Sequence, residues 1–106
     1  MSWLKVATIT DIPRLGSRVL ETVIGSIAIF RTSDDQIFAL NDRCPHKQGL
    51  LSQGIVHGCK VTCPLHNWMI ELHTGCAVAP DVGQVKTFAV KIEHDDIYLK
   101  IEDFLT

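Results

Sequence analysis

The sequence predicts an all-β domain, and three observations carry that prediction. Apolar and β-branched residues fall in short runs, turn residues separate those runs at close intervals, and no window sustains a helical period. About nine or ten short strands fit this pattern, which is the signature of an antiparallel sandwich or barrel.

Leu4–Ile9 reads as the first strand and ends near Asp11 and Pro13. Residues 11–15 fit one helical turn, because Asp11 can cap it and proline is tolerated in a first turn. Arg18–Val23 is the next strand, with Gly25-Ser26 as its turn. Ile27–Arg31 is continuously apolar up to its arginine, which predicts burial on both faces. Ser33-Asp34-Asp35 is a polar hairpin connection, and Gln36–Leu40 returns from it. Ile55-Val56 and Lys60–Thr62 flank a turn at Gly58. Trp68–Leu72 follows and closes at Thr74-Gly75. From Val85 to Glu93, Phe88, Val90 and Ile92 alternate with polar or small residues, so this stretch reads as one strand. His94-Asp95-Asp96 is the last turn and Ile97–Ile101 the last strand.

At 106 residues, 46% of them hydrophobic, residues 1–106 form one domain with enough apolar material for a core. The net charge is −2 and no block of like charge occurs, which argues against nucleic acid or an anionic membrane as partner. Met1–Lys5 has no basic segment leading into an apolar one, and Ile27–Phe30 is too short to span a bilayer. The expectation is a cytoplasmic protein. There is no nucleophile–base signature, phosphate loop or dinucleotide fingerprint, so no catalytic residue is assigned.

The chemistry lies in two short clusters, Cys44-Pro45-His46 and Cys63-Pro64-Leu65-His66, with sixteen residues between them. Each loop offers one thiolate and one imidazole. Such a set suits two irons better than one metal, because each loop can give its Cys to one iron and its His to the other. Cys44, His46, Cys63 and His66 are therefore the candidate metal and cofactor ligands, and this is the ligand set of a Rieske [2Fe–2S] centre. Zinc is the rival metal, although zinc knuckles usually pair like ligands at longer spacing. A proline directly after each Cys fixes φ and stiffens the loop, and Gly49 can admit close backbone approach. Neutral His in place of two thiolates makes the cluster less negative and easier to reduce. Rieske centres span about −150 to +300 mV, against about −400 mV for plant-type all-Cys clusters. High-potential centres of this type carry an extra Cys in each loop and hydroxyl donors to sulfur; neither loop here has that Cys and no Ser or Tyr lies near Asn67, so resemblance to the low-potential type implies the low end of the range.

The pattern resembles the Rieske ferredoxins along the whole chain. Leu51-Ser52-Gln53-Gly54-Ile55-Val56-His57-Gly58 and Thr62–Trp68, with Asn67-Trp68, more narrowly resemble the small subunits of assimilatory NAD(P)H-dependent nitrite reductase. Gln48 and Leu50 stand where Gly and Pro are common in those subunits. The resemblance implies a Rieske-type sandwich or barrel with a cluster-binding subdomain of two loops, about residues 42–82. It also implies an electron-carrying role beside a large flavin- and sirohaem-bearing subunit that reduces nitrite to ammonium. A free ferredoxin of a ring-hydroxylating dioxygenase and a zinc-bearing interaction module are the alternatives.

Other residues have plainer readings. His57, His73 and His94 are turn or solvated histidines, while Cys59 and Cys76 are buried small residues or free thiols, or a disulfide pair. Trp68 is core packing, with exposed docking as the alternative. Ala77–Asp81 resembles the proline-containing loop that covers the cluster in this family. Leu50, Leu65 and the edges of His46 and His66 are candidates for a partner surface.

Overall fold

In the computed structural model, residues 3–23, 25–44, 49–64 and 67–100 are described. They form ten strands and two short 3-10 turns, with no α-helix among the described residues. The strands are β1 (Trp3–Thr8), β2 (Ser17–Thr22), β3 (Gly25–Arg31), β4 (Ile37–Asn41), β5 (Ile55–His57), β6 (Lys60–Thr62), β7 (Met69–Glu71), β8 (Thr87–Phe88), β9 (Val90–Glu93) and β10 (Asp96–Lys100). They make three antiparallel sheets, ordered β1-β10-β9, β2-β3-β4-β8 and β5-β6-β7.

The continuous apolar run of β3 explains the layering. Ile27 and Ile29 face one way, with Ile37 and Ala39 of β4 and Phe88, and pack with Ala7, Ile97 and Leu99 of the first sheet. Ala28 and Phe30 face the other way, with Leu40, and pack with Val56, Val61 and Ile70 of the small sheet. The middle sheet is therefore covered on both faces, as an unalternating strand requires. Cys44 and Cys63 lie in the second of these cores.

Three elements differ from the sequence expectation. The Val85–Glu93 alternation is two strands: Phe88 pairs with Ala39 in the middle sheet, whereas Val90–Glu93 pairs with β10 in another. A period of two reports faces and not partners, so a chain that changes sheets at Ala89 keeps its pattern. The helical turn sits earlier, at Ile9–Asp11, where Asp11 Oδ2 accepts the Thr8 amide at 2.9 Å. The β2–β3 turn begins at Val23, and Gly25 at φ 120° opens β3 opposite Thr22.

Arg31 and Asp35 join the layers. Asp35 Oδ1 accepts Nε of Arg14 at 3.0 Å and Nε of Arg31 at 2.9 Å. Arg31 Nη1 also donates to the Ile12 carbonyl at 2.8 Å and the Ile9 carbonyl at 3.2 Å. The Arg14 guanidinium, then that of Arg31, lowers the Asp35 carboxyl from 3.8 to about 2. A carboxyl depressed on folding adds stability above its ordinary value, and that stability is lost as pH falls toward about 2. Stability measured by denaturant titration should therefore decline from pH 3.8 to about 2 in the wild type, and Asp35→Asn should flatten the decline.

At Gly54 the segment after the first loop runs tight against β6. A Cβ there would lie 2.2 Å from the Thr62 carbonyl oxygen and 2.9 Å from Val61 Cγ2. Backbone cannot move aside as a flexible side chain can. Gly54→Ala should cost about 1–3 kcal/mol, as overpacking does. A chemical denaturation curve with an unchanged midpoint would contradict this.

Candidate metal centre

Both candidate cysteines follow strands of different sheets. Cys44 comes three residues after the end of β4, and Cys63 directly after β6. Their side chains are buried, at 1% and 0% exposure, and share one apolar core with Phe30, Leu40 and Ile70. The local closure of the two loops is the same. The Cys44 amide donates to the Gly49 carbonyl, and the Cys63 amide to the Trp68 carbonyl, both at 2.7 Å. Each bond spans five residues and returns the chain beside its cysteine. Asn67, at φ 58°, takes the left-handed turn before Trp68 that asparagine tolerates well.

His46 and His66 lie outside the described residues, as do Pro45, Lys47, Gln48 and Leu65. The structure thus brings the two predicted thiols into one core and is silent on the two imidazoles. The donor chemistry fits a thiolate-ligated centre: the two cysteines stand at equivalent loop bases and are buried in one apolar core. Gly49 is buried beside this closure.

Cys59 is exposed, not buried, because it sits in the tight β5–β6 turn after Gly58. Cys76 is half-buried, and both are thiols rather than a disulfide pair. Trp68 is partly buried against the cysteine-side core, consistent with packing. His57 is exposed at the end of β5, with Nε2 2.7 Å from Thr62 Oγ1. His73 and His94 are exposed. In the 77–81 segment, Ala77 packs on the cysteine-side core, Val78 donates its amide to Met69, and Ala79–Pro80 is a cis peptide.

Sequence reasoning missed Asp42 and Ser52. Asp42 is 5% exposed; its Oδ1 accepts the Ser52 amide at 2.7 Å and its Oδ2 the Ser52 hydroxyl at 2.8 Å. The available signal was an acid placed between an apolar strand and a ligand loop, where burial demands partners.

Comparison with known proteins agrees with this architecture. Residues 2–89 match the Rieske [2Fe-2S] domain family. The chain is 34% identical over 105 residues to the 3-phenylpropionate/cinnamic acid dioxygenase ferredoxin subunit of Photorhabdus laumondii, covering 97% of this chain and 98% of that one. It is 32% identical over 102 residues to the ferredoxin component of the naphthalene 1,2-dioxygenase/salicylate 5-hydroxylase systems of a Ralstonia species, covering 95% and 97%. Among solved structures, a nitrite reductase (NADPH) small subunit superposes with a TM-score of 0.85 at 19% identity, over 94% of this chain and 99% of that chain. That likeness is one of fold. No helix among the described residues is long and apolar enough to cross a membrane. With its buried cysteine pair, its all-β frame and a family match over most of its length, the chain belongs to the Rieske [2Fe-2S] domain family and is an electron-transfer protein that binds a [2Fe–2S] cluster.

Proposed function

We propose that this chain is the ferredoxin component of a multicomponent oxygenase, carrying electrons to a larger oxygenase partner. The observation that supports this most is the end-to-end 34% identity with a dioxygenase ferredoxin subunit. In this reading Cys44 and Cys63 hold one iron, and His46 and His66 hold the other. When bound, the cluster takes up and releases one electron at a time. Cys44 and Cys63 would reach their iron from the apolar core they share with Phe30, Leu40 and Ile70, which would lower the local polarity on the cysteine side. Residues 42–82 act as the cluster-binding part of a single domain, since both cysteine loops and the β5-β6-β7 sheet fall within them. Ala77–Asp81 covers the site, and Leu50, 44% exposed, together with Leu65 contributes to the partner surface. The cytoplasm is the expected compartment, where thiols stay reduced.

A second reading makes the chain the small subunit of a nitrite reductase with a flavin- and sirohaem-bearing large subunit. It is favoured by the Ser52–Gly58 stretch and by Asn67-Trp68. Purification of the tagged holoprotein from its own cells separates the two. An iron-dependent oxygenase subunit without sirohaem supports the first reading, and a sirohaem absorption band in the purified complex supports the second and overturns the first.

A further inference from the structure

We propose that Asp42 is a positioning residue that sets the seat of Cys44 and with it the hold on the cluster. The proposal rests on Cys44 being a ligand, as argued above. Asp42 precedes the first ligand loop and Ser52 follows it, so the Asp42–Ser52 bridge closes the base of the loop from both ends. Both carboxylate oxygens are used, at 2.7 and 2.8 Å, on the amide and hydroxyl of one residue. Each end is then tied to the middle sheet. The Asp42 amide donates to the Ser26 carbonyl at 2.9 Å, at the start of β3. The Ser52 carbonyl accepts Ser17 Oγ at 2.7 Å, at the start of β2. Inside this frame, the Cys44 amide bond to Gly49 closes the loop a second time.

The chemistry of the bridge explains why it would act on position. Bonds to a carboxylate are short and strong, and at 5% exposure water competes weakly for them. A bidentate contact to a single residue fixes orientation as well as distance. Alanine at position 42 would leave the Ser52 amide and hydroxyl without their buried acceptor, so residues 50–53 would move to find one. Cys44 lies between that segment and β4 and would lose its fixed geometry. Asparagine preserves the bridge: its Oδ1 accepts the Ser52 amide, and its Nδ2 donates to the hydroxyl oxygen.

The test compares wild type, Asp42→Ala, Asp42→Asn and Ser52→Ala, each reconstituted with iron and sulfide. The rate of cluster loss is followed by the visible spectrum well below the melting temperature. The EPR line shape of the reduced centre is recorded, and the apoproteins are compared by amide exchange at Cys44. Partners that orient ligands typically matter about 10–100-fold in metal affinity. Asp42→Ala should lose its cluster about tenfold faster or more, with a broadened EPR signal and faster exchange at Cys44. Asp42→Asn should match wild type. Ser52→Ala keeps the amide bond and should fall between them, so it carries the test if Asp42→Ala fails to fold. Cluster lifetime and line shape equal to wild type in Ser52→Ala and in any folded Asp42→Ala, whatever the melting temperature, would overturn the proposal. A wild type that assembles no [2Fe–2S] centre would instead overturn the ligand assignment on which it rests.

Discussion

Replacing Cys63 with alanine should abolish iron and acid-labile sulfide binding while leaving the β-frame of the apoprotein folded. Cys63 is fully buried at the end of β6, and alanine fills most of its place in an apolar core without adding a polar group. In the proposed ligand set the cluster would lose one of four ligands, and a thiolate supplies a charged bond that water replaces poorly in an apolar core. Cys44→Ala should behave the same way. Cys59→Ala is the control, because Cys59 is exposed in the β5–β6 turn, at the far end of β6 from Cys63. It should keep full iron and sulfide content. Far-UV circular dichroism and metal analysis on the three variants check this expectation. Wild-type sulfide content in Cys63→Ala, or its loss in Cys59→Ala, would refute it.

The second large effect concerns the two faces of β3. Phe30→Ala should cost about 3–5 kcal/mol, and Ile29→Ala about 2–5 kcal/mol. Both side chains are almost fully buried, at 0% and 1% exposure, so each truncation leaves a cavity. The cavities lie on opposite sides of the middle sheet. Phe30 packs in the core that contains Cys44 and Cys63, whereas Ile29 packs against the β1-β10-β9 side. Denaturant unfolding should therefore report similar losses, but only Phe30→Ala should shift the midpoint potential, because only it changes the surroundings of the cysteines. Equal potentials in both variants would mean that the cysteine-side core does not tune the centre.

Much of this fold was legible because short strands reveal themselves by composition and by the turns around them. Lys60–Thr62, between the Gly58 turn and Cys63, is a strand with the boundaries its residues suggest. The doubly buried β3 was legible from four apolar residues in succession. What alternation cannot carry is partnership, and so the crossing between sheets at Ala89 was hidden within one regular pattern. Of the two readings of Cys59, buried residue or free thiol, the second holds, because the glycine turn beside it brings the side chain to the surface.

Of the candidate site, the two cysteines lie within the described residues. Cys44 and Cys63 stood out by their spacing from His46 and His66, and their burial follows from the strands that lead into them. The Asp42–Ser52 bridge was not legible, since its partners stand ten residues apart and nothing in either type specifies the other. The likeness to nitrite reductase small subunits rested on residues flanking the ligands. The likeness to the dioxygenase ferredoxins instead runs over nearly the whole chain, at 34% identity across 97% of it and 32% across 95%.

The central claim is a [2Fe–2S] centre held by two cysteines and two histidines. Pulsed EPR on the anaerobically reduced protein, prepared with isotopically labelled histidine, tests it most directly. The account predicts a paramagnetic centre with two directly bound histidine nitrogens, one lost in His46→Ala or His66→Ala if either variant retains a centre. A reduced centre without strongly coupled histidine nitrogen, or a zinc-loaded protein with no sulfide and no signal, would contradict it.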